Sequence, residues 1–420
     1  MPKKKKTDTK DIKEKTLMPE VNIGMVGHVD HGKTTLLESL SGIWADTHSE
    51  EIKRGITIRL GYAEAVFYKE KDNYTAKPKD ASKATLLRKV SFVDAPGHES
   101  LMATMLSGAT IIDGALLLIA ATEKCPQPQT REHLMALQIT GIKNIVIVQN
   151  KVDLVNEKAA LKNYNEIKEF IKNTDYKNSP IIPISAQHKA GMSILIKSIE
   201  ETIPTPKRDK TKDPMMLVAR SFDINKPGTM PKDLVGGILG GSMRQGVLTA
   251  GSEIEIKPGR KVMQKNREVL KPIKTKIIDL NYGSTSVKEI SPGGTVGILT
   301  SLDPSIVKSD QLSGSIVGLP GKLPDTFHEI TLEPHLLDRV VGTQEELKVD
   351  LIKMTETLML NVNSAATVGV VTGLKKKNVI CRLKIPICAE LNSRVTISRR
   401  IGNRFRLIGY GEIVEGKTSQ

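Results

Sequence analysis

Gly27-His28-Val29-Asp30-His31-Gly32-Lys33-Thr34 fits the pattern GxxxxGK followed by Ser or Thr. It stands between the apolar run Val21-Asn22-Ile23-Gly24-Met25-Val26 and Thr35-Leu36-Leu37-Glu38-Ser39-Leu40. That order reads as strand, glycine turn, helix, the context in which such a loop cradles phosphate. The glycines permit a tight turn with inward-pointing N–H groups, Lys33 reaches the outer phosphates, and the Thr34 hydroxyl suits Mg²⁺. Asp30, His31, Gly32, Lys33, Thr34 and Thr35 are therefore the expected phosphate-binding residues. The chain is built around a nucleoside triphosphate.

Three further stretches select the base. Asp94-Ala95-Pro96-Gly97-His98 follows the strand-like Lys89-Val90-Ser91-Phe92-Val93. A carboxylate at Asp94 can hold a metal-bound water, and Gly97 offers a backbone N–H to the γ-phosphate. Asn144-Ile145-Val146-Ile147-Val148-Gln149 reads as another strand and ends in Asn150-Lys151-Val152-Asp153. The Asp153 carboxylate can accept from both N1–H and the exocyclic amine of guanine, a donor pair that adenine lacks. Ser185-Ala186-Gln187, after Pro180-Ile181-Ile182-Pro183-Ile184, closes the pocket with a backbone N–H toward the guanine oxygen. Any one of these arises by chance in turns. All four, in this order and each at the carboxyl end of an apolar run, predict a GTP-binding domain in which Asn150, Lys151, Asp153, Ser185, Ala186 and Gln187 hold guanine.

Composition bounds the remainder. At 420 residues the chain is too long for one ordinary core. It carries 62 Lys plus Arg against 47 Asp plus Glu, a formal charge of +15, which favours a polyanionic partner. With 3% aromatic residues, stacking platforms for single strands are not expected, so recognition should rest on backbone and shape. Three scattered cysteines supply neither a disulfide framework nor a four-thiolate metal site, and a reducing cytoplasmic setting is expected. The start Met1-Pro2-Lys3-Lys4-Lys5-Lys6 lacks the apolar run of a signal peptide, and no stretch reaches the ~18 apolar residues of a membrane span, so no membrane partner is expected.

The first half alternates strand and helix, which predicts a mainly parallel sheet wrapped by helices. Pro204-Thr205-Pro206-Lys207-Arg208-Asp209 reads as the start of a linker. Beyond it, short β-rich runs such as Ser252 to Ile256, Gly294 to Leu299 and Ser315 to Gly318 are separated by Gly and Pro turns. These predict an antiparallel barrel. A second punctuation at Gly318-Leu319-Pro320-Gly321 precedes another β-rich block, taken as a second barrel. The expected organisation is a basic disordered tail over 1–19, a GTP-binding domain over 20–206, and barrels over 207–326 and 327–420.

The set GHVDHGKT, Arg54-Gly55-Ile56-Thr57-Ile58, DAPGH, NKVD and SAQ resembles the translational GTPases. Within them the stretches Cys125 to Leu134, Ile203 to Asp209, Phe222 to Gly228 and Arg406 to Gly411 resemble the gamma-subunit family of archaeal and eukaryotic translation initiation factor 2. The likeness runs from about Val21 to the end. It implies an α/β P-loop GTPase domain followed by two antiparallel β-barrels. It also implies GTP-dependent carriage of methionylated initiator tRNA to the small ribosomal subunit and its mRNA complex, in a heterotrimer with alpha and beta subunits.

On this resemblance GTP or GDP and Mg²⁺ are the cofactors. Thr34 and Thr57 are direct metal ligands and Asp94 acts through water, while Asp30 and Gly55 match a second Mg²⁺ position. His98 matches the residue that orients the attacking water, and Val29 with Ile56 matches an apolar gate. Slow intrinsic GTP hydrolysis is expected. Many archaeal members carry paired CxxC motifs in the insertion that corresponds to Lys69 to Arg88; this chain has none there, so zinc is not expected and a flexible loop is. The alternative is an elongation-type aminoacyl-tRNA carrier, general or selenocysteine-specific. Nothing after Gly416 is long enough for the extra C-terminal domain of the selenocysteine factors.

Overall fold

The computed structural model describes residues 17–42, 61–80, 82–94, 110–226, 228–264, 267–283, 285–338, 340, 347–402 and 404–418. Gly55, Ile56, Thr57, Gly97, His98 and residues 1–16 of the expected basic tail lie outside the described residues.

The first strands are β1 (Val21–Gly27), β2 (Gly61–Glu70), β3 (Asn73–Thr75), β4 (Thr85–Asp94), β5 (Gly114–Ala120), β6 (Ile145–Asn150) and β7 (Ile181–Pro183). They form one sheet in the order β3-β2-β4-β1-β5-β6-β7. Its five strands from β4 to β7 run parallel, and β2 and β3 add an antiparallel edge. Helices α1 (Lys33–Ser41), α2 (Pro128–Thr140), α3 (Glu157–Ile171) and α4 (Met192–Thr202) cover it.

All seven residues of β1 and of β5 are buried. The reason is that both sheet faces are covered, and alternate side chains supply two separate cores. On β5, Ala115, Leu117 and Ile119 pack with Leu134 and Leu137 of α2 and Ile167 of α3. Leu116 and Leu118 point the other way, with Leu36 and Leu40 of α1 and Leu195 and Ile199 of α4. Each such leucine, fully buried, contributes about 2–3 kcal/mol. Parallel register then brings the carboxyl ends level, with Met25 opposite Asp94 and Ala120 opposite Asn150.

The next strands are β8 (Met215–Phe222), β9 (Ile238–Gln245), β10 (Leu248–Thr249), β11 (Glu253–Gln264), β12 (Arg267–Tyr282), β13 (Thr285–Val287), β14 (Glu289–Ile290), β15 (Val296–Thr300) and β16 (Ile316–Gly318). Six of them, β11-β16-β8-β9-β15-β12, form an antiparallel barrel that the β11–β12 pairing closes. A second closed barrel has β17 (Thr326–Leu336), β18 (Thr357–Val362), β19 (Ala365–Lys375), β20 (Asn378–Cys388), β21 (Arg394–Ile401) and β22 (Arg404–Thr418), ordered β17-β20-β19-β18-β21-β22. The α/β sheet followed by two antiparallel barrels is the fold the sequence predicts.

The segment from Lys69 to Arg88 corrects the expectation of a flexible loop. Its ends extend β2 and begin β4, and β3 folds back on β2 as a hairpin. Composition misleads here because order comes from partners on α4 and at its C-terminal end. The Tyr74 N–H donates to Ser193 Oγ (2.9 Å), and the buried Arg88 guanidinium donates to Glu200 (2.8 Å) and to the Ile203 carbonyl (2.7 Å).

Buried polar bonds tie both barrels to the GTPase domain. Asn22 on β1, wholly buried, donates through Nδ2 to Ser242 Oγ (3.0 Å) and to the Gly294 carbonyl (3.1 Å) of the first barrel. Arg406 of the second barrel pairs with Glu132 of α2, and Arg394 donates to the Ile139 carbonyl (2.9 Å). The linker contributes Arg208, paired with Asp113.

Candidate nucleotide site

The glycine loop sits between β1 and α1. Gly27 (φ 145°) and Gly32 (φ 89°) both take backbone angles that favour glycine. At Gly32 a Cβ would also lie 2.4 Å from Asn150 Nδ2, so the loop passes too close to that amide for any side chain. No side chain caps the start of α1. An uncapped helix start presents N–H donors and the positive end of the dipole, the arrangement that receives an anion. Lys33 is 7% exposed, and its ammonium donates to the carbonyls of Gly27 (2.9 Å) and His28 (2.8 Å), which hold it across the loop.

Thr34 Oγ1 donates to Asp94 Oδ2 at 3.1 Å. The hydroxyl of the glycine loop and the carboxylate that ends β4 therefore meet. Both are hard oxygen donors of the kind that Mg²⁺ selects. Val29 is half-buried, with its N–H toward Gln129 Oε1 (3.4 Å), and Asp30 is exposed with φ 60°.

Asn150 organises the base side. Its Nδ2 donates to the His31 carbonyl (3.0 Å) and its Oδ1 accepts from the Ala186 N–H (3.0 Å). One buried amide thus joins the glycine loop to the Ser185-Ala186-Gln187 turn. The Ala186 carbonyl accepts from Ser39 Oγ of α1 (2.7 Å), which fixes the turn from its other side. With the Ala186 N–H committed, the N–H in this turn that has no acceptor among the described residues is that of Gln187. Lys151 has φ 63°, a left-handed residue that bends the chain after β6, and Asp153 follows in a short 3-10 turn. The Ser185 hydroxyl bonds to Asp153 and holds its carboxyl below the usual carboxylate range, with His188 (3.6 Å) and Lys151 adding to the effect. Asp153 stays ionised, ready to accept.

Three histidines surround the loop. His31 turns its side chain into the core, Nδ1 on the Leu118 carbonyl (3.0 Å) and Nε2 toward Glu123 (3.3 Å), so its side chain is withdrawn from the loop. The His28 ring centre lies 5.2 Å away. His133 of α2 accepts the Gly27 N–H on Nδ1 (2.9 Å), which requires a neutral ring. Burial pushes His28 and His31 down, and takes His133 to about 3. His133 escapes the motif reading, yet its position beside Thr130, Leu134 and Leu137 on the buried face of α2 marks it as a polar group in need of a partner.

The folded chain keeps His133 neutral to about 3, whereas the unfolded chain binds a proton near 6.5, so the stability present above 6.5 is lost as pH falls. Thermal unfolding between pH 6.5 and 5 should show a loss approaching about 1.4 kcal/mol per pH unit from this group. His133→Gln, which can still accept from Gly27 but does not titrate, should flatten that slope. Equal slopes in parent and variant would remove His133 as its source.

The described geometry joins a glycine loop at an uncapped helix start, a Thr–Asp pair and an ionised carboxylate just beyond β6. The family model described as "Elongation factor Tu GTP binding domain" matches residues 18–205, and "Initiation factor eIF2 gamma, C terminal" matches 328–413. The translation initiation factor 2 subunit gamma of Methanocaldococcus jannaschii is 57% identical over 406 residues, 96% of this chain and 99% of that one. That of Pyrococcus furiosus is 57% identical over 408 residues, 96% and 99% of the two chains. The chain belongs to the translation initiation factor 2 gamma-subunit family.

As a member of that family it is a GTP-binding initiation factor subunit with a translational GTPase domain. Among solved structures, a bacterial selenocysteine-specific elongation factor superposes with TM-score 0.73 at 24% identity, covering 95% of this chain and 59% of that chain. Elongation factor SelB of Methanococcus maripaludis with a GTP analogue gives 0.70 at 23% identity, covering 96% and 80%. Those likenesses carry the fold. Among the described residues no helix is long and apolar enough to cross a membrane.

Proposed function

We propose that this chain, in its GTP state, carries methionylated initiator tRNA to the small ribosomal subunit and its mRNA complex, as the core of a cytoplasmic heterotrimer with alpha and beta subunits. The near-full-length likeness to initiation factor 2 gamma subunits is the observation that carries this reading. The formal charge of +15 supports it, since an RNA partner is a polyanion.

In the same reading the N–H groups from Asp30 through Thr35 and the Lys33 ammonium take the phosphates, with Gly97 on the γ-phosphate. The Thr34–Asp94 pair suits Mg²⁺, Thr34 and Thr57 directly and Asp94 through water, and Asp30 with Gly55 suits a second ion. Bound there, the ion offsets charge on the β- and γ-phosphates. Asp153 accepts from the guanine N1–H and amine, Asn150 and Lys151 shape the pocket, Ser185 and Ala186 anchor the turn, and the Gln187 N–H serves the guanine oxygen. His98 orients the attacking water behind the Val29 and Ile56 gate. No arginine finger can be assigned, so unstimulated hydrolysis is slow.

Binding of labelled initiator and elongator tRNAs tests the carrier role. Methionylated initiator should bind about tenfold or more tighter with a GTP analogue than with GDP, tighter than its uncharged form, and progressively more weakly as salt rises. Equal binding of all charged elongators would move the assignment to an elongation-type carrier. No binding even in the assembled heterotrimer would refute carriage.

A further inference from the structure

Where the GTPase domain, the linker and both barrels meet, they line an open cleft of about 400 Å³. It lies in the size range of small-molecule sites and is too small for a nucleic-acid helix. Its wall is charged in one sense. Arg208 of the linker, Arg244 of β9 and Arg394 of β21 line it, against Asp113 as the one carboxylate. These residues come from distant parts of the chain, and folding brings all three to the wall of one cleft.

Their internal bonding is incomplete. Arg208 Nη2 pairs with Asp113, while Arg208 Nη1 is buried with no hydrogen-bond partner among the described residues. Arg244 donates through Nη1 to Asn363 Oδ1 (3.0 Å), across the interface of the two barrels. Arg394 donates through Nη1 to the Ile139 carbonyl (2.9 Å) and stacks on Tyr410, 4.5 Å from the ring centre. A guanidinium has five donors, so each of these two is oriented by its neighbours with most of its fork unspent among the described residues. Oriented planar forks with unmet donors match the paired oxygens of a phosphoryl or carboxylate group.

We infer that this cleft binds a small multivalent anion carrying phosphoryl or carboxylate groups. Since its wall is assembled from all the modules, such a ligand favours the arrangement in which they converge. It is an effector site, separate from the nucleotide pocket.

The test titrates pyrophosphate, and in a parallel arm citrate, into the full chain saturated with GDP, with free Mg²⁺ held constant. GDP keeps the phosphate loop filled, so heat of binding reports a second site. The double substitution R244K and R394K keeps every charge, hence the general positive field, but removes the forks. The parent should bind at least one anion saturably at one per chain and gain thermal stability with it. The double variant should bind about tenfold more weakly or worse, with GDP affinity unchanged. A response to pyrophosphate alone names a phosphoryl ligand, and one to citrate alone a carboxylate. Equal affinity in parent and variant would reduce the effect to diffuse charge and overturn the site, as would the absence of saturable binding in both arms. Should the double variant fail to bind GDP, R244K alone, at an exposed position, gives the same reading with a loss of about threefold.

Discussion

Asn150→Ala is expected to weaken GDP binding by about 10² to 10⁴ in affinity while leaving the chain folded. The amide does two jobs at once, donating to the His31 carbonyl and accepting from the Ala186 N–H, and it is 2% exposed. Truncation leaves both of those backbone groups unpaired, each at a cost of about 1–3 kcal/mol. The bound state bears most of this cost, because the loop and the turn must then be held against nucleotide from opposite sides without their common tie. Strand β6 keeps its ladder with β5, so cooperative unfolding should persist at a lower midpoint. Fluorescent GDP titration and thermal unfolding measure the two effects separately. An unchanged dissociation constant would show that the loop and the turn are set independently of Asn150.

The same residue shows where the sequence is informative and where it is silent. That Asn150 belongs to a guanine site is visible in its spacing to Lys151 and Asp153, because contact with one base demands a local pattern. That it also secures the glycine loop is invisible, since its bond to His31 spans 119 positions. The buried strands were legible for a similar local reason. A sheet covered on both faces needs unbroken apolar runs, and Gly114 to Ala120 supplies one. The ties between modules follow no such pattern. Asn22 is a lone amide inside an apolar strand, and its acceptors in the first barrel are 220 and 272 residues away. The polar composition of Lys69 to Arg88 suggested mobility for want of any hint that Ser193 and Glu200 on α4 wait as partners.

Asp153→Asn should exchange guanine for xanthine as the preferred base. In the parent the carboxylate is ionised, bonded by the Ser185 hydroxyl and placed just beyond β6 by the left-handed turn at Lys151. Two acceptor oxygens match the N1–H and amine of guanine, whereas xanthine presents N1–H beside a carbonyl and sets oxygen against oxygen. The amide reverses this pairing: Oδ1 accepts from N1–H and Nδ2 donates to the xanthine oxygen. A mismatched pair loses charge-assisted bonds worth about 1.5–3 kcal/mol each, so GDP affinity should fall by two orders of magnitude or more and XDP affinity should rise by a similar factor. The glycine loop and Asn150 are untouched by the change, which separates base choice from phosphate binding. Competition of GDP and XDP against one labelled nucleotide reads both numbers in parent and variant. If GDP still wins by the parental ratio, the base is held elsewhere and Asp153 is only a surface carboxylate beside His188.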